Sequence, residues 1–260
     1  RDEIAGMIAH VTRRGTVAYH NAFGWLDREA RTPMRDDAIF QIMSMTKPVT
    51  SVALMTLYDE GAFHLNTPIA KFLPEFRDTQ VFARETADGI ELEDLKQPIT
   101  FRHLLTHTSG LSYGWNDQDP VDRAYQADQR KHAAAGQAFS NRDLCEALAR
   151  LPLAFQPGTK WRYSLSIDVL GRLIEVISGQ RLDEFFQERL FNPLGMVDTG
   201  FFVPTDKSDR VATVYGHPEP GQGLLRMDQI KAHTTAPDWL SGGGGLVSTL
   251  NDYARFAQML

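Results

Sequence analysis

The chain has 260 residues, about twice the usual length of a domain, so one large domain or two interleaved ones fit and a small disulfide-stapled module does not. A net charge of −6 with 42% hydrophobic and 23% charged residues describes a globular chain with a real core; it excludes disorder and argues against nucleic acid or an anionic membrane as the main partner. The single cysteine, Cys145, cannot form an internal disulfide and points neither to a thiolate metal cluster nor to an oxidising compartment, and no apolar run approaches the length of a membrane span. Residue 1 is Arg rather than Met, which leaves room for a removed leader or a preceding helix; localisation stays open, with the cytoplasm favoured, and nothing specifies the oligomeric state.

The first forty residues read as a β meander. Residues 4–11 and 16–25 are rich in Val, Ile, Ala, Tyr and Phe, and Arg13, Arg14 and Gly15 form the turn of a hairpin. A short run, 38–43, leads to Ser44. From 45 to 58 nearly every position is apolar or a small hydroxyl, and Asp59, Glu60 and Gly61 close a helix expected to be buried on all sides, with Pro48 harmless in its first turn. Further on, Thr100 caps a helix through Phe101, Leu104 and Leu105 towards Gly110, and Ser140 with Asp143 forms a capping box before Leu144 and Leu148. Residues 112–138 between them are polar and aperiodic, the signature of a surface excursion or lid. Pro157-Gly158 makes a turn, Ile167, Leu170, Ile174 and Ile177 recur at helical spacing up to Gly179, and the glycine run from Gly242 to Gly245 precedes a helix from Thr249 onward.

The chemistry concentrates in the buried helix. Lys47 is the only charged residue between Phe40 and Tyr58, in a chain that uses 7 lysines against 20 arginines. An ammonium buried without a partner costs several kcal/mol and tends to shed its proton, and a neutral amine is a base. Ser44, three residues earlier, shares its helix face at the positive N-terminal end, where the amine can accept the hydroxyl proton and the helix favours developing negative charge. With 11 serines and 7 lysines, about 0.3 Ser-x-x-Lys matches arise by chance, so the spacing alone leaves Ser44 as an N-cap and Lys47 as a snorkelling lysine equally open.

Two rival motifs need weighing. Gly110-Leu111-Ser112-Tyr113-Gly114 spells the nucleophile elbow of α/β-hydrolases, with His217 or His233 to complete a triad, but the flanking segments read as helix and loop instead of strand and helix. His103 and His107 stand at i and i+4 as in zinc hydrolases, without the catalytic glutamate, and fit hydrogen-bonded helix histidines better than metal ligands.

Four segments are together distinctive: Phe40-Gln-Ile-Met-Ser-Met-Thr-Lys-Pro48, Thr100-Phe-Arg-His-Leu-Leu-Thr-His-Thr-Ser-Gly-Leu111, Trp161-Arg-Tyr-Ser-Leu165 and Ser241-Gly-Gly-Gly-Gly-Leu-Val-Ser248. In order and separation they resemble the class C β-lactamase-like serine hydrolases, and within that superfamily the family VIII carboxylesterases. The resemblance implies an α/β fold of the β-lactamase and DD-peptidase type: an antiparallel sheet flanked by helices, from residues 1–61 and 236–260, with a mainly helical region of long loops, 62–235, inserted. It implies Ser44 as nucleophile, Lys47 as its activator and Tyr163 as proton shuttle, a neighbouring ammonium favouring the phenolate.

β-Lactamases of this class carry Tyr-x-Asn where this chain has Tyr163-Ser164-Leu165, so the amide that contacts a β-lactam side chain is replaced by Leu165, and an ester becomes the expected substrate. Tyr113, Trp115 and Trp161 are the expected apolar cleft lining. The family's third motif, Lys-Thr-Gly, His-x-Gly or Trp-Gly-Gly, is not found before Leu260, and the resemblance implies that roughly the last third of a family-length chain and the N-terminal helix lie outside this sequence. Two backbone N–H groups, one from Ser44, are expected to hold the oxyanion. No cofactor or metal is implied. The expected activity is ester hydrolysis through an acyl-enzyme; a β-lactamase or D-amino-peptidase with the same residues, a non-catalytic binding protein and an α/β-hydrolase using Ser112 are the alternatives.

Overall fold

The computed structural model describes residues 3–87, 89–136, 138–217 and 223–260. It opens with strands β1 (Gly6–Arg13), β2 (Thr16–Asp27), β3 (Thr32–Pro33) and β4 (Ile39–Gln41), after which a tight turn, Met43–Met45, leads into helix α1 (Thr46–Asp59). Next come the hairpin β5 (Val81–Thr86) and β6 (Gly89–Glu93), then helices α2 (Phe101–Leu105), α3 (Pro120–Ala135), α4 (Asn141–Arg150), α5 (Ser166–Ser178) and α6 (Leu182–Phe186). The remaining elements are α7 (Asn192–Leu194), β7 (Tyr215–Gly216), β8 (Leu225–Arg226), β9 (Val247–Thr249) and α8 (Leu250–Met259). Helices mixed with antiparallel sheets are the expected fold class. No helix among the described residues is long and apolar enough to cross a membrane.

The chain divides into two compact units, the first made of Arg1–Met43, Leu190–Pro237 and Gly245–Leu260. In it β1, β2 and β3 form an antiparallel sheet whose hairpin register runs from Gly6↔Gly24 to Arg13↔Thr16, with a shift between Val11 and Thr12. Arg14 and Gly15 both take positive φ, 50° and 75°, the backbone that a two-residue hairpin turn needs. β4 and β9 pair separately, Ile39↔Thr249 to Gln41↔Val247, around a small core of Ile39, Val203 and Val247. Arg210 ties this unit together through both oxygens of Asp198 and the carbonyl of Asp37.

The second unit, Ser44–Arg189 and Asp238–Gly244, is mainly helical. α5 is its centre, packed against α1, α2, α4 and α6. Its apolar stripe of Ile167, Leu170 and Ile174, with Val169 and Leu173, is fully buried, and Gly179 closes it in the left-handed conformation. α1 buries one face, Thr46, Lys47, Val49, Thr50, Ala53, Leu54 and Leu57; Pro48 and Asp59 are exposed and its other positions are half-buried, so it is not wrapped on all sides as expected.

The units differ from the expected division. Residues 44–61, expected with the sheet, belong to the helical unit because α1 packs on α5 and α6, and residues 190–235 belong with the sheet. The expected excursion at 112–138 is largely the 16-residue helix α3; residue 137 lies outside the described residues. Asp119 caps it by accepting from Val121 and Asp122 N–H, Pro120 occupies the first turn, and Gly136 ends it at φ 59°. The helix expected to run from 100 towards 110 stops at Leu105, where Thr106 bonds back to the Arg102 carbonyl and His107 turns to φ 54°.

Candidate active site

Ser44, Lys47 and Tyr163 all belong to the helical unit. The chain enters α1 through Met43, whose φ of 45° is a left-handed conformation worth roughly 1–2 kcal/mol of strain. Ser44 follows, exposed at the head of the helix, and Lys47 lies one turn below it with only 9% exposure. The Lys47 Nζ is 3.2 Å from Ser44 Oγ, the Tyr163 hydroxyl is 2.8 Å from the same oxygen, and Nζ stands 4.6 Å from the Tyr163 ring centroid. A serine hydroxyl has one proton and two lone pairs, so it can give that proton to one of these neighbours while accepting from the other. α1 has no acidic residue in its first turn and no side-chain cap from Met45, so the first turn itself sets no negative side chain against charge developing at Ser44.

Lys47 is not unpartnered, as its sequence context suggested: it donates to the Gly243 carbonyl at 2.6 Å. One turn further along α1, Thr50 Oγ1 donates to the Gly242 carbonyl at 2.7 Å, so α1 holds this backbone at two successive residues. A side chain at 242 would meet the Ile167 carbonyl at 2.9 Å, and one at 243 would overlap the carboxylate of Asp168. Only glycine allows the approach. Asp168, in the first turn of α5 and buried, accepts from Ser241 Oγ at 2.6 Å and from Gly243 N–H at 3.1 Å.

Tyr163 is set by what surrounds it. The preceding Arg162 forms an ion pair with Asp119 at the start of α3, and the following Ser164 continues a buried hydroxyl chain, His107 Nδ1 to Ser164 at 3.2 Å, Ser164 to Ser166 at 2.8 Å and Ser166 to Ser109 at 2.8 Å. His107 is driven down to a pKa of about 4, first by burial and then by the charge of Lys47, so at neutral pH it is an uncharged link in that chain. Tyr113 and Trp115 stack at 4.4 Å between ring centroids; Tyr163 lies 5.3 Å from Tyr113, 5.9 Å from Trp115 and 6.3 Å from Trp161. Trp115 and Trp161 are 72% and 66% exposed, large apolar faces open to solvent beside Tyr163. Gln126 and Gln129 of α3 donate to the carbonyls of Gly114 and Tyr113, which makes α3 the support of this aromatic loop.

The structure thus gathers Ser44, Lys47, Tyr163, Tyr113, Trp115 and Trp161, and sets Leu165 apart. Leu165 is buried on the wall of an apolar cavity of about 520 Å³, shared with Leu144, Leu148, Phe139 and Trp239. Ser112 is also apart: buried in irregular chain between α2 and α3, it gives its hydroxyl proton to Asp122 and accepts from Gly114 N–H. No strand leads into it and no helix follows directly, so the elbow is absent. His103 closes the capping box of α2 and His107 lies beyond that helix, so the two do not share a helix face. Among the described residues no three His, Cys, Asp or Glu side chains are grouped to hold a metal ion. Sequence reasoning passed over Asp168, Ser241 and the role of Gly243, although Asp168 stands alone among Ile167, Val169 and Leu170, the same signal that singled out Lys47.

Comparison with known proteins gives the family and the fold. The family model described as Beta-lactamase matches residues 1–260. Protein Rv1367c of Mycobacterium tuberculosis is 40% identical over 258 residues, 99% of this chain and 62% of that protein. Esterase EstB of Burkholderia gladioli is 39% identical over 222 residues, 84% of this chain and 52% of its own. The structure of EstCE1, described as a hydrolase with promiscuous acyltransferase activity, superposes with a TM-score of 0.78 at 28% identity, covering 99% of this chain and 68% of that one. The chain spans 62% and 52% of the length of the two curated relatives named.

Proposed function

The chain belongs to the Beta-lactamase family, and on that premise we propose that it is a serine hydrolase of carboxylic esters, a carboxylesterase of the family VIII kind, working through an acyl-enzyme on Ser44. The observation that carries this reading is the meeting of Lys47 Nζ and the Tyr163 hydroxyl on Ser44 Oγ, at 3.2 and 2.8 Å. Lys47 in its amine form keeps one N–H on the Gly243 carbonyl and turns its lone pair to Ser44. Ser44 Oγ attacks the ester carbonyl carbon as its proton passes to Lys47. The carbonyl electron pair becomes an oxyanion at the positive head of α1, held in part by Ser44 N–H. As the tetrahedral intermediate collapses, the carbon–oxygen bond to the alcohol breaks and Tyr163 protonates the leaving alkoxide, drawing a proton in turn from Lys47. Water then enters by the same route reversed and releases the acid. Tyr113, Trp115 and Trp161 would hold the apolar part of the ester.

A second reading, acyl transfer to an alcohol instead of water, is favoured by the two exposed tryptophans, which offer an acceptor an apolar platform, and by the described activity of EstCE1. Both readings share the acyl-enzyme. Peptide mapping of a fluorophosphonate adduct tests it: the label belongs on Ser44, and a label on Ser112 would overturn the proposal. Adding a short alcohol during nitrophenyl ester turnover separates the two readings, since transfer yields a new ester and hydrolysis only acid.

A further inference from the structure

We propose that Asp168 is a positioning residue for Lys47: it clamps the Gly243 backbone whose carbonyl receives the lysine amine, and it stands as a carboxylate behind the base. The inference rests on the reading of Lys47 as proton acceptor. Asp168 is 2% exposed, and only its Oδ1 is satisfied, by Ser241 and by Gly243 N–H. Oδ2 is buried with no hydrogen-bond partner and lies where a side chain of residue 243 would be. A half-satisfied buried carboxylate is a poor structural choice. An asparagine would supply the same acceptor for Ser241 and Gly243 without the burden of a charge, so the charge itself needs a reason.

Lys47 supplies that reason. One residue, Gly243, accepts from Lys47 through its carbonyl and donates to Asp168 through its N–H. Burial pushes the Asp168 carboxyl up, opposed in turn by Ser241, the Gly243 N–H and the charge of Lys47. The other titratable groups facing Lys47 are Tyr163, Tyr113 and His107; those facing Asp168 besides Lys47 are Tyr113 and Cys145 of α4. Burial holds His107 neutral above about pH 4 and pushes the Tyr113 phenol and Cys145 thiol upward, so none of these three adds a competing charge near neutral pH. Asp168 thereby fixes the place of the amine through Gly243 and sets a carboxyl behind it.

The experiment compares Asp168→Asn, Lys47→Ala and the parent, as full-length proteins, on a short-chain nitrophenyl ester across pH. Asp168→Asn should lower kcat by about 30-fold or more with KM within about twofold, since substrate does not touch it. It should also move the acid limb of the kcat profile to lower pH by about half a unit or more, because an ammonium that loses a neighbouring carboxylate gives up its proton more readily. A kcat and profile like the parent's, beside an inactive Lys47→Ala, would overturn the role of Asp168 alone. A fall in kcat with an unmoved acid limb would also overturn it, leaving only a structural role. An active Lys47→Ala would overturn the underlying reading of the base. Should Asp168→Asn fail to fold, Ser241→Ala decides: about a fivefold fall in kcat at unchanged KM is expected, and an unchanged kcat refutes the clamp.

Discussion

Ser44 holds one proton between two groups that can move it, and the assignment of roles can be tested one atom at a time. Ser44→Ala should lower ester turnover by roughly 10⁴-fold or more, whereas Ser112→Ala should keep most activity while losing about 1–3 kcal/mol of stability, because it strips the buried Asp122 of a donor. Equal activity losses in the two variants would mean that the hydroxyl at 112 is chemically engaged. Lys47→Arg should be nearly as damaging as Lys47→Ala, since a guanidinium cannot surrender its proton; an active arginine variant would reduce the residue to a fixed positive charge. His107 makes a pH prediction. Its folded pKa of about 4 lies below the ordinary imidazole value near 6.5, so the unfolded chain binds more protons between those limits. Its contribution to stability is complete above about 6.5 and is lost as pH falls towards 4. The midpoint of thermal unfolding should drop over that window, and His107→Gln should flatten the drop; a profile identical to the parent's would place the acid sensitivity elsewhere.

At the scale of elements, α3 links the helical scaffold to the candidate site. Asp119 caps it while pairing with Arg162, the neighbour of Tyr163, and Gln126 and Gln129 hold the loop of Tyr113 and Trp115. Asp119→Ala should therefore cost about 1–2 kcal/mol from the cap and reduce kcat as well, with faster amide exchange in residues 112–122 as the measurement that links the two; lost stability with unchanged kcat would confine α3 to scaffolding. This helix also shows where sequence reading fails. Among its described residues only Val121 and Tyr125 are fully buried hydrophobic anchors, so the apolar period is too weak to announce it, and the usable signals are Asp119-Pro120 at one end and Gly136 at the other. The β1–β2 hairpin was legible because Arg14-Gly15 allows the turn its strands need. Lys47 stood out as a lone charge in an apolar run. Asp168 meets the same criterion, but the apolar stripe of Ile167, Leu170 and Ile174 around it masks the signal. The grouping of α1 with α5 and α6 depends on packing between segments more than a hundred residues apart, which no local pattern carries.

For the molecule as a whole, the sharpest prediction is substrate preference: in the full-length protein, kcat/KM for a nitrophenyl ester should exceed that for nitrocefin by about 10³-fold or more, since the exposed indoles of Trp115 and Trp161 beside Tyr163 suit an apolar ester group better than a polar acylamino group. Equal or greater cephalosporin turnover would overturn the preference. Leu165 lines the apolar cavity beside Leu144 and Leu148, so Leu165→Asn should lower the thermal midpoint by burying an amide among leucines and leave β-lactam turnover unchanged; a gain in turnover would show that the side chain reaches the substrate. The open aromatic face carries a consequence for observation. Of the four tryptophans, Trp115 and Trp161 flank Tyr163 and are the two most exposed, whereas Trp25 and Trp239 are each 38% exposed. Indole emission responds to the polarity around the ring, so an acyl group arriving on Ser44 should shift the protein's own fluorescence. The protein is in that sense its own dye: stopped-flow records of unlabelled protein would separate the acylation phase from the slower release of acid, and Trp115→Phe would dim the signal while leaving Ser44 in place.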